Sequence, residues 1–157
     1  RAVPLPGHFL DMVGVRTPEG VLYAADAVFS AEIVEKYRFI VTLDVAAALA
    51  TLDALEGDGA SFFVPCHAEA GTDISAHADA TRRGILSLSE RIFDVIEAAR
   101  SEEEILAIVF ESWGLEMTPQ QFVLSRAALA AHLAHLASHG RIAPRVEGGR
   151  LLWERSQ

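Results

Sequence analysis

The chain has 157 residues, of which 51% are hydrophobic and 22% charged, enough to bury one sizeable core or one and a half. Its 22 acidic residues outnumber 13 lysines and arginines, and the net charge of −9 disfavours nonspecific binding to nucleic acid or anionic membranes. No apolar run approaches the roughly 18 residues of a membrane span, and the lone Cys66 excludes an internal disulfide, which together predict a soluble cytoplasmic protein.

The first part of the chain alternates between strand and helix patterns. Residues 3–28 read as extended segments, with a turn containing proline and glycine at residues 17–20 that predicts a β-hairpin. A short helix follows Phe29, and a second begins after Asp44, a suitable N-cap. The apolar run SFFVP then predicts a buried strand before a long helix. Strands that alternate with helices indicate an α/β layer.

Two capping boxes mark a change near residue 100. Ser101 with Glu104 predicts the start of one helix, and Thr118 with Gln121 predicts the start of the next. After them, the segments RIAPRV and RLLWER flank a glycine turn and predict a terminal hairpin. These patterns predict an α/β unit over residues 1–100 and a small helical, winged-helix-like unit over residues 101–157.

The winged-helix-like unit lacks the positive charge expected of a DNA-binding domain. From Thr118 onward the chain carries five arginines and two glutamates, which is a small excess of positive charge. The last helix also lacks a dense basic face for phosphates and base edges. We therefore do not expect nucleic acid as a partner and favour an architectural or dimer-forming role.

The same helix carries His132, His135 and His139 on one face. Such spacing could assemble a metal site. No carboxylate or cysteine accompanies these histidines locally, so we favour a polar face beside a leucine stripe.

Three other side chains are candidate metal ligands because each follows a turn or a strand. They are His8 in LPGH, Asp26 in GVLYAADAVF and His67 in FFVPCH. Imidazole and carboxylate are the usual ligands of zinc or iron. Each also has a structural alternative: a turn residue bonded to the backbone for His8, a helix cap for Asp26 and a core histidine for His67. We interpret the neighbouring Cys66 as a small buried residue rather than as a nucleophile or ligand.

The order LPGH, hairpin, GVLYAADAVF, helices and FFVPCH resembles the second half of a metallo-β-lactamase-fold hydrolase. In that family a PGH-type turn and a later strand end each supply a histidine, and an aspartate after a buried strand bridges two metals. The resemblance implies that His8, Asp26 and His67 are the metal ligands. It covers about residues 1–95, and the winged-helix-like tail is similar to the C-terminal extension of some members. The implied fold is α/β, the C-terminal half of an αββα sandwich followed by a small helical domain.

The resemblance also implies an activity. The parent protein is expected to hold two zinc ions, with metal-bound hydroxide attacking an ester, thioester, amide or phosphodiester of a small-molecule substrate. Iron and manganese are alternatives, because the ligand types overlap. No catalytic residue is assigned beyond the metal ligands.

The sequence departs from the family pattern in one serious respect, since no His-x-His-x-Asp-His motif occurs in it. We expect that motif upstream of Arg1, and we expect this chain alone to bind metal weakly or not at all and to be inactive. Loss of the facing layer predicts self-association through the exposed sheet. The alternative is a noncatalytic module that binds protein or nucleic acid through the winged helix.

Overall fold

The computed structural model describes residues 1–156 and has a mixed α/β fold, as predicted. The chain forms two compact units, one of residues 1–85 and one from residue 86 onward. Their division falls within a helix, whereas the sequence placed it at residue 100; the domain assignment stays a prediction. None of the helices within residues 1–156 combines the length and the apolar character needed to cross a membrane.

A four-stranded sheet and the helices around it form the first unit. The sheet has the order β1-β2-β3-β4; β1, β2 and β3 pair antiparallel, and β3 pairs with β4 in parallel. The strands are β1 (Ala2–Pro4), β2 (Val13–Arg16), β3 (Val21–Phe29) and β4 (Phe62–His67), and the helices are α1 (Ala31–Tyr37) and α2 (Val45–Glu56). Helix α3 (Ser75–Val95) begins in this unit and ends in the second.

Local signals explain where these elements begin. The predicted hairpin joins β2 and β3, and Gly20 takes a φ of +89° in its turn, a conformation that glycine adopts without strain. The side chains of Ser30 and Asp44 accept hydrogen bonds from backbone N–H groups of α1 and α2. Since parallel strands need a long crossover, α1 and α2 fill the connection from β3 to β4.

The two faces of this sheet differ in exposure. Leu22 and Phe63 point to the buried face, where they are 0% and 4% exposed. On the opposite face Val15 pairs with Tyr23, and these side chains are 52% and 50% exposed. A sheet normally buries an apolar face against a second layer. We call the exposed set the outer face, and it comprises Val13, Val15, Tyr23 and Phe62.

The second unit contains the helices and the hairpin that the sequence predicted. Both capping boxes form, one at Ser101 and one at Thr118. Gly148 and Gly149 have φ values of +57° and +76° at the tip of the hairpin, as a tight two-residue turn requires. The elements are α4 (Glu102–Ser112), α5 (Pro119–Ser138), β5 (Ile142–Glu147) and β6 (Arg150–Arg155). The winged-helix relationship itself stays a prediction.

One prediction about α5 is wrong. His132 does not belong to a polar face; it is 0% exposed and lies in the core beside Leu129 and Leu133. Its Nδ1 is 2.8 Å from Oγ of Ser89, and its buried Nε2 has no hydrogen-bond partner among the described residues. Burial, and to a smaller extent the nearby His135, lower the pKa of His132 to about 3, so the ring is neutral at physiological pH.

Candidate metal centre

The fold brings together His8, Asp26 and His67, which are far apart in sequence. Nε2 of His8 lies 3.7 Å from Oδ2 of Asp26, and Nε2 of His67 lies 3.4 Å from Oδ1 of the same carboxylate. The three side chains are 25%, 35% and 45% exposed. The carboxylate therefore stands between two imidazoles, each of which faces a different oxygen, at a position open to solvent.

An irregular stretch of β3 carries Asp26. Ala25 pairs with Pro65 and Phe29 pairs with His67, so β3 has two more residues than β4 between these pairs. Ala25 has a φ of +48°, a strained conformation for a residue with a Cβ. Strand irregularities of this kind re-aim side chains. The helix-cap alternative for Asp26 is excluded, because Ser30 caps α1.

His8 lies in a loop that α2 and the residues before it hold in place. The carbonyl of Gly7 accepts hydrogen bonds from the N–H groups of Leu43 and Asp44, at 2.8 and 3.0 Å. Nδ1 of His8 is 2.8 Å from the carbonyl of Val41. A carbonyl only accepts, so Nδ1 carries the proton, and in the neutral ring the lone pair is on Nε2, which faces Asp26.

Gly7 is expected to be essential to this loop. Its φ is +133°, and a Cβ added there would lie 2.3 Å from Cα of Ala48. We expect Gly7→Ala to lower the free energy of unfolding of the first unit by about 3 kcal/mol, because it combines backbone strain with overpacking. Urea denaturation followed by far-ultraviolet circular dichroism measures this change. Gly59→Ala is the matched control, since a Cβ at Gly59 would meet no atom within 4 Å, and equal effects of the two changes would contradict the prediction.

His67 ends β4 and is not a core histidine. Its ring stacks on Phe29, with ring centroids 5.1 Å apart and an interplanar angle of 9°. Phe29 also contacts His8, with centroids 5.6 Å apart. One buried aromatic ring therefore supports both histidines from the side of the core.

The interpretation of Cys66 as a buried packing residue is wrong, because Cys66 is exposed. Partial desolvation of the thiol raises its pKa, and the hydrogen bond to Asp26 and the charge of that carboxylate raise it further. The thiol therefore remains protonated beside Asp26. Its position next to His67 at a strand end was a sequence signal that Cys66 lies near the candidate ligands, although it did not indicate a contact with Asp26.

The donor chemistry of the cluster fits a metal ion, but its geometry is more open than that of a formed site. Within residues 1–156, no group of three or more His, Cys, Asp or Glu side chains is arranged to hold a metal. Ligands about 2.0–2.2 Å from a tetrahedral ion lie about 3.3 Å from one another. The two observed N···O distances exceed that value by a few tenths of an ångström at most.

Comparison with solved structures identifies the fold. A metallo-β-lactamase family protein from Thermus thermophilus aligns with a TM-score of 0.72, and a β-lactamase domain protein from Burkholderia ambifaria aligns with 0.76. The chain has part of a metallo-β-lactamase fold. Sequence identity is 19% in both cases, and each alignment covers 99% of this chain and 48% of the other. The chain thus spans about half the length of these metallo-β-lactamase-fold structures.

No protein-family model and no curated protein matches the sequence. The two structural alignments confirm the predicted resemblance to metallo-β-lactamases at the level of the fold. The roles of His8, Asp26 and His67 as metal ligands stay predictions.

Proposed function

We propose that this chain is part of a metal-dependent hydrolase and supplies His8, Asp26 and His67 to a site for two metal ions, with zinc favoured. The observation that supports this proposal is the single carboxylate whose two oxygens face two imidazoles, at 3.7 and 3.4 Å. A carboxylate in this position can bridge two ions, and each histidine can bind one of them.

The surrounding residues prepare the three side chains for this role. The Val41 carbonyl fixes the His8 tautomer that leaves Nε2 available to a metal. Phe29 restricts the rotation of both imidazoles, and the irregular β3 aims Asp26 between them. When bound, two ions polarise a carbonyl or phosphoryl oxygen and make a water nucleophilic near neutral pH. The substrate class is an ester, thioester, amide or phosphodiester of a small molecule.

The outer face of the sheet supports a second part of this proposal. We propose that in the complete protein a facing sheet covers Val13, Val15, Tyr23 and Phe62 and carries the remaining metal ligands. Two packed sheets bury such faces about 10 Å apart. In the chain by itself, a second copy covers the outer face, so the chain self-associates and is inactive. A monodisperse monomer by light scattering at millimolar concentration would contradict this part.

Metal binding by the chain tests the proposed ligands directly. With three ligands we expect weak binding of Co²⁺, an optical substitute for zinc, detected by visible absorption. His8→Ala and His67→Ala should each remove part of the bound cobalt, because the two imidazoles bind different ions. His139→Ala is the control, since His139 is exposed in the second unit. Equal cobalt binding by all three variants and the unchanged chain would exclude these ligands.

A further inference from the structure

A side chain of helix α3 holds the end of strand β3. Strand β2 pairs with β3 at Leu22 and Tyr23, so Phe29 lies beyond the part of β3 that this neighbour covers. The N–H of Phe29 instead donates a hydrogen bond to Oγ1 of Thr81, at 2.8 Å. Thr81 therefore takes the place of a neighbouring strand where β3 ends.

The hydroxyl of Thr81 both accepts and donates in the core. It accepts from Phe29, and it donates to the carbonyl of His77, one turn earlier in α3, at 2.8 Å. The carbonyl of Phe29 is a second acceptor, at 3.3 Å. Thr81 and Phe29 are 2% and 7% exposed, and a buried N–H that loses its partner bears the full cost of desolvation. The hydroxyl thus fixes the backbone of Phe29 relative to α3.

Phe29 passes this position on to the candidate ligands. Its ring stacks on that of His67, with the centroids 5.1 Å apart, and contacts the ring of His8 at 5.6 Å. Asp26 precedes Phe29 by three residues in the same irregular stretch of β3. A shift of the end of β3 would therefore change the orientation of both imidazoles and of the carboxylate between them.

We propose that Thr81 is a positioning residue of the metal site and acts through Phe29. Its hydroxyl holds the phenyl ring at the place where that ring supports His8 and His67. The role in metal binding rests on the proposed function, whereas the role in arranging the rings rests on the contacts alone. Partners that orient metal ligands typically contribute 10–100-fold to metal affinity. Because Thr81 acts through an intermediate residue, we expect the lower value, about tenfold.

Thr81→Val tests this role, because valine has the shape of threonine but cannot accept a hydrogen bond. In the metal-free chain, nuclear magnetic resonance should show weaker Overhauser contacts between the rings of Phe29 and His67. The ring protons of His67 should also shift downfield, because the stacked phenyl ring shields them less. Cobalt titration should show an affinity about tenfold lower than that of the unchanged chain. Thr81→Ser keeps the hydroxyl, so both measurements should stay close to those of the unchanged chain.

Leu55→Val is the control for a loss of stability alone. Leu55 is 2% exposed and lies at the end of α2 remote from the loop of His8, so this variant should lower the urea midpoint without changing the ring contacts. Two results would overturn the proposal. One is a Thr81→Val chain that loses stability but keeps its ring contacts, and the other is a Thr81→Ser chain that loses them equally. An unchanged chain that binds no cobalt contradicts the proposed function instead, because the ring contacts are measured without metal.

Discussion

Asp26→Asn is expected to lower the affinity of the chain for Co²⁺ and Zn²⁺ by about 100-fold or more. The change keeps the shape of the side chain but removes the negative charge that faces both histidines, at 3.4 and 3.7 Å. Loss of a supporting partner of a metal ligand already costs about 10–100-fold, and loss of a shared ligand should cost more. Because Asp26 faces both imidazoles, Asp26→Asn should weaken the binding of both ions, whereas each histidine variant should weaken the binding of one.

Cobalt absorption titration and zinc competition measure this affinity. Asp79→Asn is the control, because Asp79 is an exposed carboxylate that pairs with Arg82. We expect the metal-free stability of Asp26→Asn to change little, since its contacts with the imidazoles are too long for hydrogen bonds. If Asp26→Asn and Asp79→Asn bind cobalt equally well, the bridging role of Asp26 is refuted.

The protonation of His132 is expected by itself to lower the free energy of unfolding of the second unit by about 2 kcal/mol between pH 7 and pH 5. The pKa of this histidine is about 3 in the folded chain, against an ordinary value of 6.5. A depressed pKa means that unfolding takes up a proton once the pH falls below the unfolded value. The stabilisation is therefore complete above about pH 6.5 and decreases by about 1.4 kcal/mol per pH unit until about pH 3.

The His132→Asn variant isolates this effect. Asparagine places an amide near the position of Nδ1, so contact with Ser89 can persist while the titration is removed. Trp113 and Trp153 are the only tryptophans of the chain and both lie in the second unit, so their fluorescence in urea reports its unfolding. We expect the variant to lose about 2 kcal/mol less than the unchanged chain between pH 7 and pH 5.

The absolute stability of His132→Asn is not the test, because the smaller side chain also leaves a cavity. His139→Asn provides the control, since His139 is exposed and its replacement should leave the pH dependence unchanged. Parallel stability-against-pH curves for the unchanged chain and His132→Asn would show that His132 does not take up a proton on unfolding.

Much of the local structure was predictable because its causes are local. The side chains of Ser101 and Glu104 form hydrogen bonds with backbone groups within one helical turn, so four residues determine where α4 begins. The glycines at the tip of the β5–β6 hairpin act over an equally short distance. The α/β class was predicted from the alternation of strand and helix signals along the chain. The resemblance to metallo-β-lactamases also rested on short motifs placed in a particular order.

The environments of single side chains were less predictable, because distant segments create them. The spacing of His132 predicted a surface position, but the ring is buried. Its Nδ1 lies 2.8 Å from Oγ of Ser89, which is 43 residues away in the chain. Cys66 was expected to be buried, but it is exposed and interacts with Asp26, which lies 40 positions earlier in the chain. No local pattern encodes either contact.

The sequence by itself determined the elements, the fold class and the three candidate ligands, because capping, turns and strand ends depend on neighbours in the chain. Only the tertiary structure decided that His8 and His67 face opposite oxygens of Asp26, and that the Val41 carbonyl selects the His8 tautomer. It also decided which apolar side chains remain exposed on the sheet and on α5. These properties depend on the packing of segments that are remote in sequence, and the free energy of packing is shared among all of them.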